Sequence, residues 1–196
     1  MKRFYIADLH LYHVNILKFE NRPFKDIYEQ NEVIKKVWNK KVSPEDEVYI
    51  LGDLSFNSSK EAIEFVRSLN GKKFFITGNH DNKLLNSEEF RKEFVWIKGY
   101  YELTDGEWFI CLSHYPFLVW NKCHYGKSIQ LYGHIHSLRA NGPQFPVSEN
   151  QYNVGYDIIG GPCELAELIE KNKAWMEEIG MTVNPLFNYK DKGIKK

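Results

Sequence analysis

The sequence predicts an α/β fold in which helices cover a mostly parallel β-sheet. Short apolar runs rich in β-branched and aromatic residues alternate with amphipathic segments, in the order strand, helix, strand, helix, strand. The chain has 196 residues, of which 43% are hydrophobic. This is enough to bury one good core, so we predict a single domain that spans residues 1–196.

The first predicted strand, residues 4–7, ends in Asp8-Leu9-His10. Side chains alternate along an extended segment, so Asp8 and His10 are expected to point the same way and to be able to bind one ion together. Taken alone, this pair is explained equally well as a strand-end acid beside a chance histidine. Residues 11–24 follow without clear periodicity and predict a loop over the strand ends.

A helix is predicted next. Asp26 and Glu29 resemble a capping box, and the amphipathic segment that they begin runs to Lys41. Residues 47–51 then predict a second strand, which ends in a glycine followed by Asp53. The second strand therefore repeats the arrangement of the first, with an acid directly after the apolar run.

The third predicted strand, residues 73–77, follows an amphipathic helix for which Ser58 and Ser59 are candidate caps. It ends in Gly78-Asn79-His80-Asp81. An asparagine oxygen can bind a metal, and a histidine can hold or release a proton near neutral pH. By itself this loop is more typical of a capping asparagine beside a surface histidine.

Two further strands deliver histidines. Residues 108–112 predict a strongly apolar strand that ends in Ser113-His114. Residues 128–132 predict another, which ends in Gly133-His134-Ile135-His136. Two histidines separated by one residue can reach two adjacent ions, or one ion from the same side.

The remaining segments are less informative. Residues 95–106 predict a strand and a turn. The aromatic residues 115–127 fit either core packing or a wall that faces substrate. Residues 152–158 predict a last strand, residues 164–179 predict a last helix, and the basic tail from residue 189 is predicted to be loose.

Composition excludes several classes of protein. The 26 basic residues equal the 26 acidic ones, so binding to duplex nucleic acid by charge alone is not indicated. The 3 cysteines form no Cys-x-x-Cys pair, which argues against a disulfide framework and a thiolate zinc site. The chain shows no long apolar run and no signal segment, so we expect no membrane association and a cytoplasmic location. It carries no signal for oligomeric state.

The residues that follow the predicted strands, taken together, indicate a metal site. Five of the 7 histidines, with Asp8, Asp53 and Asn79, directly follow five separate strands, whereas chance would scatter them. Nitrogen and oxygen ligands without thiolate suit Mn, Fe, Co, Ni or Zn, and they suit two ions that share a carboxylate. We therefore expect two divalent transition-metal ions, with Mn the first candidate. Ions about 3.5 to 4 Å apart can turn a bridging water into hydroxide and hold a phosphate for in-line attack.

These motifs, in this order over residues 8–136, resemble those of the calcineurin-like metallophosphoesterase superfamily. The resemblance implies a four-layer α/β/β/α sandwich and a phosphate-ester substrate. It also implies a set of roles: one ion on Asp8, His10 and His136, the other on Asn79, His114 and His134, Asp53 bridging both, and His80 as proton donor to the leaving group. Looser similarity to a compact bacterial and phage branch rests on motifs around His13, Arg22 and Asp157.

The sequence differs from two branches of this superfamily, and these differences narrow the expected function. The protein-phosphatase branch has an aspartate three residues after the bridging one, which orients the catalytic histidine, and here that position is Phe56. We therefore do not expect a phosphoserine phosphatase, and Asp81 becomes a substitute candidate for orienting His80. The nuclease branch usually carries extra capping or DNA-binding segments, for which 196 residues leave little room.

We predict a binuclear metal-dependent phosphoesterase that hydrolyses a phosphodiester or phosphomonoester of a small molecule or a nucleotide. A nuclease that acts on short or single-stranded nucleic acid is the second interpretation, and a metal-free scaffold that binds other proteins is the third. Arg22 is the candidate for gripping phosphate, because a guanidinium offers bidentate donors; a surface arginine at the helix entry is the alternative. His13 is a candidate substrate-binding or ligand-supporting residue, with capping inside the loop as the alternative.

Overall fold

Two four-stranded β-sheets form the centre of the protein, in a computed structural model that describes residues 1–56, 60–137, 150–178 and 180. The first sheet has the order β1 (Arg3–Ile6), β2 (Glu47–Leu51), β3 (Lys72–Ile76), β4 (Trp96–Lys98). The second has the order β5 (Tyr100–Asp105), β6 (Trp108–Ser113), β7 (Ser128–Tyr132), β8 (Gln151–Asn153). The helices are α1 (Ile16–Phe19), α2 (Ile27–Lys41), α3 (Lys60–Arg67), α4 (Asn82–Leu85), α5 (Glu88–Arg91), α6 (Tyr156–Ile159), α7 (Leu165–Glu178). The candidate caps Ser58 and Ser59 and the tail from residue 189 lie outside the described residues.

The first sheet is entirely parallel, with Phe4 opposite Val48 and Tyr49 opposite Phe74. Strands β1, β2 and β3 are buried on both faces, which is why they have continuous apolar runs rather than alternating patterns. A parallel sheet brings the carboxyl ends of its strands to one edge. The loops after β1, β2 and β3 therefore lie beside one another.

The second sheet is mixed, because β5 runs antiparallel to β6 while the other pairs are parallel. The chain passes from the first sheet to the second at Gly99, between β4 and β5. The prediction of a single strand and turn over residues 95–106 was wrong, because this segment forms two strands, β4 and β5, that join different sheets. Local periodicity does not reveal that two consecutive strands join different sheets.

Apolar residues of both sheets and of the flanking helices form one continuous core, to which α2 contributes Trp38, α3 contributes Val66 and α7 contributes Leu168. The four-layer α/β/β/α sandwich that the resemblance implied is thus confirmed. In the described part of the chain, no helix has the length and apolar character needed to cross a membrane.

Helix α2 begins as the sequence predicts. The Asp26 carboxylate accepts a hydrogen bond from the Glu29 backbone N–H at 2.8 Å, and the Glu29 carboxylate accepts one from the Lys25 backbone N–H at 2.7 Å. The helix therefore starts at a fixed point. It places Gln30, which is fully buried, against the loop that follows β1.

The last predicted strand is shorter than expected. Strand β8 stops at Asn153, and residues 156–159 form α6, so Asp157 lies in the first turn of a helix. Between β8 and α6 the chain pairs with the end of β1 instead: the Ala7 N–H donates to the Val154 carbonyl, and the Tyr156 N–H donates to the Ala7 carbonyl. The predicted loop over residues 11–24 likewise contains α1.

Candidate metal centre

The loops after five strands meet at one edge of the sandwich and are tied together by their backbones. The Asp8 N–H donates to the Gly52 carbonyl at 3.1 Å, which joins the ends of β1 and β2. The Gly133 N–H donates to the His114 carbonyl at 2.9 Å, which joins the ends of β6 and β7. The side chains that the sequence placed at strand ends are therefore held on a hydrogen-bonded frame.

The backbone at this edge is strained. Positive φ angles, in the left-handed region, occur at five of the predicted ligands: Asp8 (56°), His10 (49°), Asp53 (52°), His134 (72°) and His136 (48°). Each such residue costs on the order of 1 to 3 kcal/mol and persists only where its surroundings enforce it. Asp8 and His10 do face one site, but by this backbone turn and not by the strand alternation that the sequence suggested.

The first group of candidate ligands consists of Asp8, His10 and His136, whose donor atoms lie within 4.8 Å of one another. The Nε2 atom of His10 is buried and has no hydrogen-bond partner in the described part of the chain. An unsatisfied buried nitrogen is costly, and it is what a metal ligand looks like without its ion. Burial also lowers the pKa of His10 well below its usual value, which keeps the ring neutral for coordination.

Asp8 is the acid of this group and is fully buried. Its side chain is shielded from solvent, and both carboxylate oxygens accept from the His134 backbone N–H, at 3.1 and 2.9 Å. Burial raises the pKa of Asp8 to about 8 in the protein alone. Ionising such a buried carboxylate is costly, and a cation bound beside it would stabilise its negative charge.

The second group consists of Asp53, His114 and His134, again with ligand atoms within 4.8 Å of one another. The His114 Nδ1 lies 2.8 Å from the Leu51 carbonyl, to which it donates, so Nε2 is left with the lone pair. That Nε2 is 3.0 Å from the Asn79 Oδ1, which brings Asn79 to the same group.

Asp53 lies between the two groups. Its Oδ2 is 3.7 Å from the His10 Nε2 and 3.5 Å from the His114 Nε2, and its side chain is 2% exposed. Its Oδ1 accepts from the His80 backbone N–H at 3.0 Å. One carboxylate thus faces a nitrogen of each group, which is the position that a shared ligand needs.

His80 lies at the solvent side of this centre. Its side chain is 43% exposed, and its Nε2 is 4.0 Å from the Asp53 Oδ2. The ring lies 5.7 Å from the ring of His10 and 5.4 Å from that of Phe56, measured between centroids. The imidazole therefore borders both the ligand groups and the open face.

The sequence suggested Asp81 as the residue that orients His80, but the structure gives the Asp81 carboxylate other partners. Its carboxylate accepts from the backbone N–H groups of Asp53 (2.9 Å), Leu54 (3.1 Å) and Gly78 (2.7 Å). Burial raises the pKa of Asp81 to about 6, against those hydrogen bonds. Asp81 instead ties the loop that carries Asp53 to the loop that carries the Gly78 motif.

Gly78 permits that close approach. A Cβ at this position would lie 2.3 Å from the Asp53 Oδ1 and 2.6 Å from the Asp53 backbone nitrogen. Gly133 plays the same part on the other side, where a Cβ would lie 2.6 Å from the Asp8 Oδ2. The two glycines make room for the two buried carboxylates.

We expect Gly78→Ala to lower the free energy of unfolding by about 1 to 3 kcal/mol and to weaken metal uptake, because the new methyl group displaces Asp53. Chemical denaturation and metal titration measure the two effects. The control is Gly126→Ala, whose Cβ would meet no atom within 4 Å. Equal behaviour of the two variants would show that the position of Asp53 does not depend on Gly78.

His13 contacts the predicted ligand His10 on the side of the ring that faces away from Asp53. Its Nδ1 lies 3.1 Å from the Nδ1 of His10, and its ring stacks on Phe56 with centroids 4.1 Å apart and an interplanar angle of 12°. One of the two Nδ1 atoms must donate to the other. This contact turns the Nε2 of His10 toward Asp53, so of the roles suggested for His13 the geometry favours ligand support.

Arg22 is placed differently from both interpretations that the sequence offered. It is 6% exposed, so it is not a surface residue. Its five N–H donors all have protein acceptors: both Asp157 oxygens (2.7 and 3.0 Å), the carbonyls of Asp8 and Leu9 (2.9 Å each) and the Gln30 Oε1 (3.0 Å). Arg22 therefore has no donor left for a substrate phosphate.

Asp157 is a site residue to which sequence reasoning gave no role. Its Oδ2 accepts from the His136 Nδ1 at 2.8 Å while the carboxylate also holds Arg22. Burial would raise the pKa of Asp157, but the hydrogen bonds from His136 and Arg22 lower it overall. The only signal in the sequence was its place in the Asn153-Val154-Gly155-Tyr156-Asp157 motif, which says nothing about its partner 135 residues away.

Residues 115–127 combine the two interpretations left open. Trp120 is buried and donates to the Ser128 hydroxyl, whereas Tyr115 is 44% exposed. The Tyr115 ring lies 4.6 Å from the ring of His134. The segment thus packs into the core at one point and borders the candidate centre at another.

The chain is similar to a known protein family and to several individual proteins. A family model described as calcineurin-like phosphoesterase matches residues 1–190. The gene 66 protein of Mycobacterium phage L5 is 27% identical over 204 residues, covering 90% of this chain and 97% of that protein. An uncharacterized protein of Methanocaldococcus jannaschii is 48% identical over 84 residues, covering 41% of this chain and 48% of that protein, so this match spans about half of that relative.

Among solved structures, a protein of unknown function from Aquifex aeolicus superposes with a TM-score of 0.66 and 24% sequence identity. The match covers 86% of this chain and 97% of that one. At this identity the likeness concerns the fold.

Proposed function

This chain belongs to the calcineurin-like phosphoesterase family, and from that membership and the geometry of its centre we propose that it hydrolyses phosphate esters with two bound divalent metal ions. The observation that carries the proposal is the position of Asp53. Its carboxylate faces one buried imidazole of each ligand group, at 3.7 and 3.5 Å.

Two sets of ligands would hold the ions. The first is Asp8, His10 and His136, the second is Asn79, His114 and His134, and Asp53 belongs to both. Two observations support this assignment: the Nε2 of His10 has no hydrogen-bond partner among the residues that the structure describes, and His114 has the tautomer with a free Nε2. Nitrogen and oxygen ligands favour a transition metal, with Mn the first candidate and Fe, Co, Ni or Zn as alternatives. When bound, such ions lower the pKa of a water and offset the charge of the phosphate.

His80 is the proposed proton donor to the leaving group. Its backbone N–H is anchored on Asp53, and its ring reaches the open side of the centre beside Phe56. An imidazole in this position can give a proton to a departing alkoxide without being a ligand itself. Because the ring stays partly exposed, solvent can return the proton after each turnover.

We propose a small-molecule phosphodiester or phosphomonoester, or a nucleotide, as the substrate. Two half-exposed rings border the centre: Phe56 beside His80, and Tyr115 beside His134. A planar group such as a nucleobase can stack on rings of this kind. The single-domain organisation and the cytoplasmic location predicted from the sequence remain part of this proposal.

Metal analysis and a substrate panel test the proposal together. After chelation, Mn is expected to bind at two ions per chain and to restore hydrolysis of at least one phosphate ester. The panel compares aryl and alkyl monoesters and diesters, linear and cyclic nucleotides, and short oligonucleotides by kcat/KM. A folded protein that takes up no transition metal at micromolar concentration would instead support the scaffold, and a clear preference for oligonucleotides would support the nuclease.

A further inference from the structure

We propose that the buried Arg22–Asp157 pair is a positioning device that fixes the orientation and tautomer of His136. The metal part of this inference rests on the proposed function, but the tautomer can be tested without metal. The pair would act through His136, and neither residue would touch substrate.

The contact between Asp157 and His136 determines which ring nitrogen is free. The His136 Nδ1 lies 2.8 Å from the Asp157 Oδ2. A carboxylate only accepts, so Nδ1 carries a proton, and in the neutral ring Nε2 keeps the lone pair. The ring then presents Nε2 to the group formed with Asp8 and His10. Such outer carboxylates fix ring orientation and raise ligand basicity in metal sites.

Arg22 in turn fixes Asp157. Its Nε and one terminal nitrogen contact the two carboxylate oxygens at 2.7 and 3.0 Å, and the side chains of the pair are 2% and 5% exposed. A bidentate contact sets the plane of the carboxylate as well as its position. The oxygen that faces His136 therefore cannot rotate away without breaking a buried ion pair.

The same guanidinium also holds the strand end that carries Asp8. It donates to the carbonyls of Asp8 and Leu9 at 2.9 Å each, directly beside the positive φ angles at Asp8 and His10. Arg22 thus connects α6, through Asp157, with the loop after β1. Two ligands of the first group are positioned by one buried cation.

Glu20 offers a competing explanation for this corner. Glu20, His136 and Asp157 also lie close enough to hold an ion. The Glu20 Oε2, however, already accepts from the Ser137 hydroxyl and backbone N–H, and both Asp157 oxygens face Arg22. The contacts present therefore favour a positioning role over a third ion site.

The test replaces the pair by apolar residues of similar size, Arg22→Met with Asp157→Leu. Removing both partners of a buried ion pair is often neutral for stability, whereas removing one leaves an unpaired buried charge. The control is Arg3→Met with Asp105→Leu, because these two residues also form an ion pair, at 3.5 Å. Arg3 lies at the amino end of β1 and Asp105 at the carboxyl end of β5, so this pair is not in the candidate centre.

Two measurements give the outcome. In the metal-free protein, ¹⁵N NMR of the neutral His136 ring is expected to show the Nδ1–H tautomer in the wild type and in the control. The variant that combines Arg22→Met with Asp157→Leu is expected to show a mixture of tautomers. In a Mn²⁺ binding isotherm, the affinity of one of the two sites is expected to be about 10- to 100-fold weaker in the Arg22→Met, Asp157→Leu variant and unchanged in the control. Both readouts would be unaffected if the pair served stability only.

An unchanged tautomer and unchanged Mn²⁺ affinities in a folded double variant would overturn the inference. Should that variant not fold, Arg22→Lys tests how Asp157 is held, because lysine keeps the charge but loses the bidentate contact that sets the plane of the carboxylate. One Mn²⁺ site is then expected to weaken, and unchanged Mn²⁺ affinities would overturn the inference. If the wild type binds no Mn²⁺ but shows the expected tautomer change between variants, the proposed function fails and the positioning role stands.

Discussion

Asp53→Asn is expected to lose at least one of the two proposed metal ions and to reduce phosphoesterase activity to the background of the metal-free protein. The carboxylate lies between the His10 and His114 nitrogens and is 2% exposed, so in the proposed centre its negative charge would be shared by both ion sites. A neutral amide cannot offset two dications at short range. Generation of the nucleophile and stabilisation of charge on the phosphate would both be lost.

The substitution separates charge from shape. Asparagine keeps the size of the side chain and an oxygen that can still accept from the His80 backbone N–H. The matched control is Asp46→Asn, another buried aspartate whose carboxylate accepts from backbone groups, here the Lys2 and Ser43 N–H. It is expected to keep both ions and full activity. If elemental analysis found two ions and undiminished turnover in Asp53→Asn, Asp53 would not be the shared ligand.

The positions of many residues in the candidate centre were predictable because the candidate ligands directly follow apolar strands. A parallel sheet sends the carboxyl ends of its strands to one edge, so a residue directly after a strand has a known location once the strand is recognised. Asp53 and His114 were placed in this way. Asp8 and His10 were expected on the same side for a reason that the structure does not support, since both have left-handed backbone conformations.

The sequence could not reveal contacts whose partners are far apart in the chain. The sequence suggests that Arg22 grips phosphate, because none of its actual contacts has a local signature: the acceptors come from the strand end at Asp8, from Gln30 and from Asp157. Asp81 was misjudged for a similar reason: its three backbone donors belong to two different loops. The passage between the two sheets at Gly99 is also decided by packing and not by local pattern.

His80→Ala is expected to keep both proposed ions and to slow hydrolysis of an alkyl ester by roughly 10²- to 10⁴-fold, the usual contribution of a general acid. Metal content should be unchanged because the only hydrogen bond between this residue and Asp53 comes from the backbone N–H, which alanine retains. A nitrophenyl ester should be slowed far less, since nitrophenolate leaves without needing a proton. The measurement compares kcat on the two esters, with metal content determined on the same samples.

His124→Ala provides the control, since His124 is an exposed histidine whose ring packs on Tyr125. It is expected to change neither metal content nor turnover on either ester. Equal slowing of the alkyl and nitrophenyl esters by His80→Ala would assign His80 to substrate positioning, because a positioning defect does not depend on the basicity of the leaving group. Loss of metal from His80→Ala would instead mean that the exposed imidazole belongs to the ligand set, and that Asp53 and its neighbours do not hold the ions by themselves.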